Sequence, residues 1–275
     1  MYSRLNIDYY PNKRCRAFHI DRYKPYMLTS SILNKEDVNI ETVKEEIVEN
    51  KPIEPISAMH VEGYFQPRQK DTLFWCFYLI HYGTKAYHDI GHNYGVKEME
   101  EKHNISKYVK EHMPKIKGTN YKVTNGMLQE IMSELVTIQP TTSMNVLLAM
   151  IVYYHVNILI VEETGKCMLA FWSDKDRIPS IDRPTDSEDA LTYVLHKDAY
   201  GKYKVQLEPV SPSTILQMQQ QMVTLDSYHR ALKSITHYAV PDLIELAKKL
   251  SCYDETKKYK KAELYNEIAK QCVWK

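Results

Sequence analysis

The amino-acid sequence predicts an α+β fold, with buried helices first and an antiparallel sheet second. Three observations carry this. Two stretches of helix length, Leu73–Tyr82 and "TTSMNVLLAMIVYYH", are apolar on nearly every side, as helices at the centre of a domain must be. The pattern then changes period: "VNILIVEE" and "KCMLAFWS" are continuous apolar runs of strand length, joined by a short turn containing glycine. A second pair of strand-like runs, "LTYVLH" and "KYKVQLE", flanks the turn sequence "KDAYG".

Taken in chain order, residues 1–60 read as an N-terminal arm mixing tyrosine, proline and charge. Within it, Val38, Ile40, Val43 and Ile47 have roughly helical spacing with acidic groups between them, and "KPIEPI" follows as a linker. Residues 61–210 form the predicted core. Asp71 or Thr72 caps its first buried helix, and Gly83 is well placed to end it. "EKHNISKYVKEHM" reads as a surface helix, and "GMLQEIMSELVTIQP" as an amphipathic one stopped by Pro140. The next helix is capped by Thr142 or Ser143 and runs directly into the first central strand. A polar loop over 174–190 separates the two hairpins. Residues 211–227 are a Gln/Met-rich linker helix, and 228–275 a small all-α module.

The bulk properties set bounds. The chain has 275 residues, 44% hydrophobic and 26% charged, a globular profile. A net charge of +1 gives no global electrostatic case for a nucleic-acid or membrane partner, so any such partner has to engage a local patch. No apolar run approaches the roughly 20 residues of a membrane span, and no signal-peptide core is present, so a soluble protein with no membrane partner is expected. The five cysteines, Cys15, Cys76, Cys167, Cys252 and Cys272, are widely spaced without a C-x-x-C pair. That spacing argues against a zinc ribbon, and no metal or other cofactor is expected. Free thiols fit an intracellular location. The scarcity of glycine (8) and abundance of tyrosine (22) fit an AT-rich genome, of the kind found in large DNA viruses and some protists.

The order of parts over residues 61–207 resembles the papain-like cysteine peptidases, especially the ovarian-tumour-type (OTU) deubiquitinases and related viral peptidases. The resemblance rests on "QKDTLFWCFYLIHYG", on Leu147-Leu148-Ala149-Met150 leading into Asn157–Val161, and on the 191–207 hairpin. It implies a hydrolase that cleaves peptide or isopeptide bonds in a protein substrate, ubiquitin-like or a viral polyprotein, through an acyl-thioester. Cys76 would be the nucleophile, His196 the base and Gln69 or Gln66 an oxyanion donor; Asp71, Asp198 or Asn157 would orient the histidine. A cysteine near a helix N-terminus gains thiolate character from unpaired N–H groups and the helix dipole, and an imidazole beside it adds to this. The family's histidine opens a strand as "HY", whereas Lys202-Tyr203 stands at the corresponding place here. The residues themselves allow a second reading, because a thiol in an all-apolar helix is also what a packing cysteine looks like. On that reading the chain is a catalytically inactive, peptidase-like structural or nucleic-acid-associated protein. If the source is viral, host cytoplasm or virion is the expected location.

The remaining histidines carry less. His155 follows a helix end, and His81, His88, His92 and His103 lie in polar stretches with no acid or thiol at a metal-binding spacing. In the tail, Val240, Leu243, Ala247 and Leu250 followed by Lys260, Lys261, Glu263, Leu264 and Ile268 resemble the SAP and Rho-N-terminal helical modules. Lys257, Lys258, Lys260 and Lys261 cluster at the inter-helix turn, where they suit weak phosphate contacts with nucleic acid.

Overall fold

In the computed structural model, residues 63–137, 139–178, 189–272 and 274 are described. The predicted arm helix with its proline linker, and Cys15, lie outside them.

The chain enters the core through a two-residue strand, β1 (Tyr64–Phe65), and then forms α1 (Thr72–Asp89). Asp71 is the cap: its Oδ1 accepts the backbone N–H of Phe74 at 3.3 Å. The eight residues from Thr72 to Leu79 are all buried, as an apolar perimeter requires. Gly83 has φ +80° and ψ 170°, a conformation outside the helical range that glycine adopts without a Cβ penalty. It interrupts α1 where the sequence expects a stop, and a second helical stretch continues to Asp89.

α2 (Tyr94–Glu111) and the short α3 (Met113–Lys117) follow. α4 (Asn125–Val136) is capped by Thr124, and α5 (Met144–Tyr153) by Ser143, whose hydroxyl accepts the Val146 N–H. β2 (Val156–Glu162) and β3 (Cys167–Phe171) make the first hairpin, and β4 (Leu191–Lys197) and β5 (Tyr203–Gln206) the second. α6 (Pro212–Gln221) and a two-residue β6 (Val223–Thr224) occupy the stretch expected to be a linker helix.

Helices lead and the sheet follows, so the α+β order holds, but the sheet is mixed and not purely antiparallel. Its strand order is β1-β5-β4-β2-β3-β6. β2 and β4 run parallel over seven residue pairs, from Val156 opposite Leu191 to Glu162 opposite Lys197. β3 and β6 are also parallel. Periodicity marks the two hairpins, yet it does not say how they join. β4 docks against one edge of β2, and β6 takes the outer edge of β3.

The two faces of the sheet explain its sequence. Ile158, Ile160, Leu169, Phe171, Leu195 and Val205 belong to one apolar cluster with Phe74, Phe77, Leu147, Leu148 and Ile151 of the helices. On the opposite face Leu159, Val161, Met168, Ala170, Trp172 and Val194 cluster with Ile215 of α6. Strands covered on both faces have to read as unbroken apolar runs, which is why β2 and β3 lack alternation.

At the C-terminal end, α7 (Val240–Lys249) and α8 (Lys261–Gln271) pair as the sequence suggests. Leu243, Ala247, Leu250, Leu264 and Ile268 are buried, and they belong to the same cluster as the helical face of the sheet. Polar ties reinforce the docking. Lys166 Nζ donates to the Leu250 carbonyl at 3.2 Å, and the Tyr228 hydroxyl donates to Asn145 Oδ1.

Candidate functional site

The capping residue of α1 lies at the centre of a buried polar network. Asp71 is 3% exposed, and its Oδ2 accepts from Lys102 Nζ at 2.8 Å and from the Thr142 hydroxyl at 2.7 Å. Lys102 also bridges to Glu98 Oε1 at 2.7 Å. Burial works to lower the Lys102 pKa, but Asp71 and Glu98 outweigh it and hold the ammonium above its ordinary range. Beside this group, Thr72 Oγ1 accepts the backbone N–H of Tyr203 at 2.9 Å, which fastens the start of α1 to the start of β5. Tyr203, which follows the lysine standing where the resemblance expects a histidine, is thus tied through its backbone to Thr72, four residues before Cys76.

Cys76 lies in the second turn of α1, beyond the N-terminal turn where the dipole and the unpaired N–H groups act. Its side chain is fully buried, and burial pushes the thiol well above its usual pKa, with the Asp71 charge pushing the same way. This is the reverse of what an activated thiolate needs. His196 is on β4, opposite Lys204 of β5, with its ring edge-on to Tyr64 at 4.6 Å. Burial and the Lys204 charge depress the imidazole to about 4. Such a group is neutral at pH 7 and is a poor partner for a thiolate–imidazolium pair.

The other residues singled out by the sequence hold structural posts. Gln69 lends its side-chain oxygen to the Tyr87 hydroxyl, and Gln66 is exposed. Asp198 closes the turn between β4 and β5, accepting the N–H groups of Tyr200 and Lys202. Buried Asn157 ties the segment after β3 to the one before β4, accepting from Ser173 and donating to the Ala190 carbonyl. His155 takes a positive φ at the turn between α5 and β2. Among the described residues no cluster of histidine, cysteine or acidic side chains is arranged to hold a metal ion.

Sequence reasoning missed Lys102, and offered Thr142 only as a helix cap. A lysine in a polar helix reads as solvated, yet a signal existed: Glu98, Lys102, Ile105 and Val109 share one face of α2, and Ile105 and Val109 are fully buried. The stripe continues past the apolar pair into charge, and the charge is buried because Asp71 waits for it.

The tail presents a second candidate. Lys257, Lys258 and Lys260 are exposed and Lys261 half-buried, around the loop that enters α8. Lys257 has only a loose contact with Asp254, at 3.7 Å between exposed groups. The Glu263 carboxylate caps α8 by accepting the Lys260 backbone N–H at 3.2 Å. No helix of the described residues is long and apolar enough to cross a membrane. No protein-family model matches this chain, and neither a curated protein nor a solved structure is significantly similar to it.

Proposed function

We propose that the chain is a non-catalytic scaffold with a peptidase-like core, which engages nucleic acid through its C-terminal helical module. The observation that carries this reading is the sealed thiol: Cys76 is fully buried, held protonated by burial and by Asp71, and past the first turn of its helix. A peptidase acting on ubiquitin-like or polyprotein substrates would need that sulfur open to a cleft and next to a base. Asp71, Lys102, Thr142 and Thr72 instead make a closed, mutually satisfied network at the helix start. Polar groups paired in this way rigidify a core and leave little with which to bind a substrate.

In native protein at pH 7, iodoacetamide is expected to leave Cys76 unmodified, with labelling only after denaturation, as read by peptide mass mapping. Native labelling of Cys76 ahead of the other thiols would overturn the scaffold reading and restore the nucleophile.

The nucleic-acid contact rests on the exposed lysines and on the likeness to SAP-type modules. Each phosphate neutralised on a duplex contributes about 0.9 to the slope of log K against log salt. Replacing Lys257, Lys258, Lys260 and Lys261 together by glutamine is expected to flatten that slope by up to about 3–4 without changing the melting temperature. An unchanged slope, or no binding by the parent chain, would make the module a protein-docking element.

A further inference from the structure

The loop between α7 and α8 has a built backbone and mixes aromatic rings with charge. α7 ends in a Schellman turn, in which the Ser251 N–H donates to the Lys248 carbonyl and the Cys252 N–H to the Ala247 carbonyl, each at 3.0 Å. Ser251 takes φ 57°, a left-handed conformation that usually falls to glycine. A second turn follows at Asp254, whose Oδ1 accepts the Thr256 N–H at 3.0 Å and the Thr256 hydroxyl at 2.6 Å. Tyr253 and Tyr259 flank this turn, both half-buried, with ring centroids 5.8 Å apart and planes inclined at 34°. Both pack against the apolar cluster that holds the module, so the rings are anchored while part of each meets solvent.

Charge surrounds these rings. Tyr259 stands between two lysine pairs, Lys257-Lys258 and Lys260-Lys261, and Lys248 Nζ lies over the Tyr253 ring, 5.6 Å from its centroid. From Lys248 to Glu263 the chain carries six lysines and three carboxylates, so this segment is basic in a protein whose net charge is only +1. Two of the carboxylates pair loosely: Glu255 lies 3.8 Å from Lys248 and Asp254 3.7 Å from Lys257. The third, Glu263, caps α8. We propose that this loop binds single-stranded nucleic acid, with unpaired bases stacked on Tyr253 and Tyr259 and the flanking phosphates held by the lysines. The proposal rests on the nucleic-acid reading above and narrows its ligand. Lysines alone hold any phosphate backbone. An aromatic pair set among them suits a strand whose base faces are open, because in a duplex those faces are already stacked on one another. Every base has such a face, so the binding tolerates sequence.

The test uses the full chain and fluorescence anisotropy at one salt concentration, with four labelled probes of about 20 nucleotides: oligodeoxyuridine, oligouridine, an abasic deoxyribose strand and a duplex. Both base-bearing single strands are expected to bind more tightly than the duplex, and the deoxyuridine strand at least about tenfold more tightly than the abasic strand. The tighter of the two single strands identifies the sugar. Tyr253→Leu with Tyr259→Leu should bring the deoxyuridine strand down to the abasic level, whereas Tyr253→Phe with Tyr259→Phe, which keeps both ring faces, should bind as the parent does. The abasic comparison needs no altered protein, so it decides the matter even where the leucine variant folds poorly. Equal affinity for the abasic and deoxyuridine strands, tighter binding of the duplex, or a folded leucine variant that binds as the parent does would overturn the proposal and leave the nucleic-acid reading standing. Binding of none of the four probes would overturn both.

Discussion

Replacing Lys102 by methionine is expected to lower stability by about 3–5 kcal/mol, read from urea unfolding at pH 7. Methionine fills much of the lysine stem's volume, so packing changes little and the loss is electrostatic. Asp71 would keep the Thr142 hydroxyl and the Phe74 N–H, but a carboxylate 3% exposed would have lost its counter-charge. Adding Asp71→Asn should recover at least half of the loss, because asparagine retains the helix cap without a buried charge. If the single variant loses less than about 1 kcal/mol, the network is not what holds the start of α1. A double variant no more stable than the single one would move the loss from charge to packing.

Stability is also expected to fall steeply above pH 10. Cys76, Tyr121, Tyr154 and Tyr203 all have pKa values raised, chiefly by burial, so the folded protein keeps these protons where the unfolded chain releases them. For such groups the native state binds more protons than the unfolded state, and stability decreases as pH rises. The loss begins with Cys76 near the ordinary thiol pKa of about 8.5, and the tyrosines join near 10. Lys102 acts in the same direction: its raised native pKa makes its contribution whole below about 10.4 and lost above the native value. Each group contributes about 1.4 kcal/mol per pH unit, so the three tyrosines and the thiol together give a slope of roughly 5 kcal/mol per unit above pH 10. Urea midpoints taken at half-unit steps from pH 8 to 11 measure it. Tyr203→Phe should remove about a quarter of the slope, and a flat profile would mean that these phenols ionise inside the fold.

Much of the architecture was legible because it is local. The buried perimeter of α1, the hydroxyl cap of α5 at Ser143 and the two hairpins depend on residues close together in the chain, the widest hairpin pair being Ile158 and Phe171. The parallel pairing of β2 with β4 was not legible, since no local pattern distinguishes which edge of a hairpin receives the next strand. The α6–β6 stretch read as a linker helix for a similar reason: Ile215 packs with Leu159, Val161 and Met168 of the sheet and Val223 pairs with Cys167, all distant in sequence. At the candidate site the sequence supplied the right helix and its cap. What it could not supply was the ion pair between Asp71 and Lys102, or the contact of Thr72 with Tyr203, residues 31 and 131 positions apart. Those long-range pairings change Cys76 from a candidate nucleophile into a buried thiol.

The sheet order has a kinetic consequence. Among the described residues, β1, at residues 64–65, pairs with β5, and β6 with β3, so both outer strands wait for distant partners. The central β2–β4 pairing must also close a loop through β3 and the long connection after it before its first hydrogen bond forms. Non-local closure of this kind is slow, with chain entropy lost before contact energy is gained. During synthesis the β2–β3 hairpin emerges with both edges open and both faces apolar, an interval in which it is exposed to pairing with other chains. The buried helices α1 and α5 precede it, so one of its faces can be covered as it forms. The other stays open until α6 arrives.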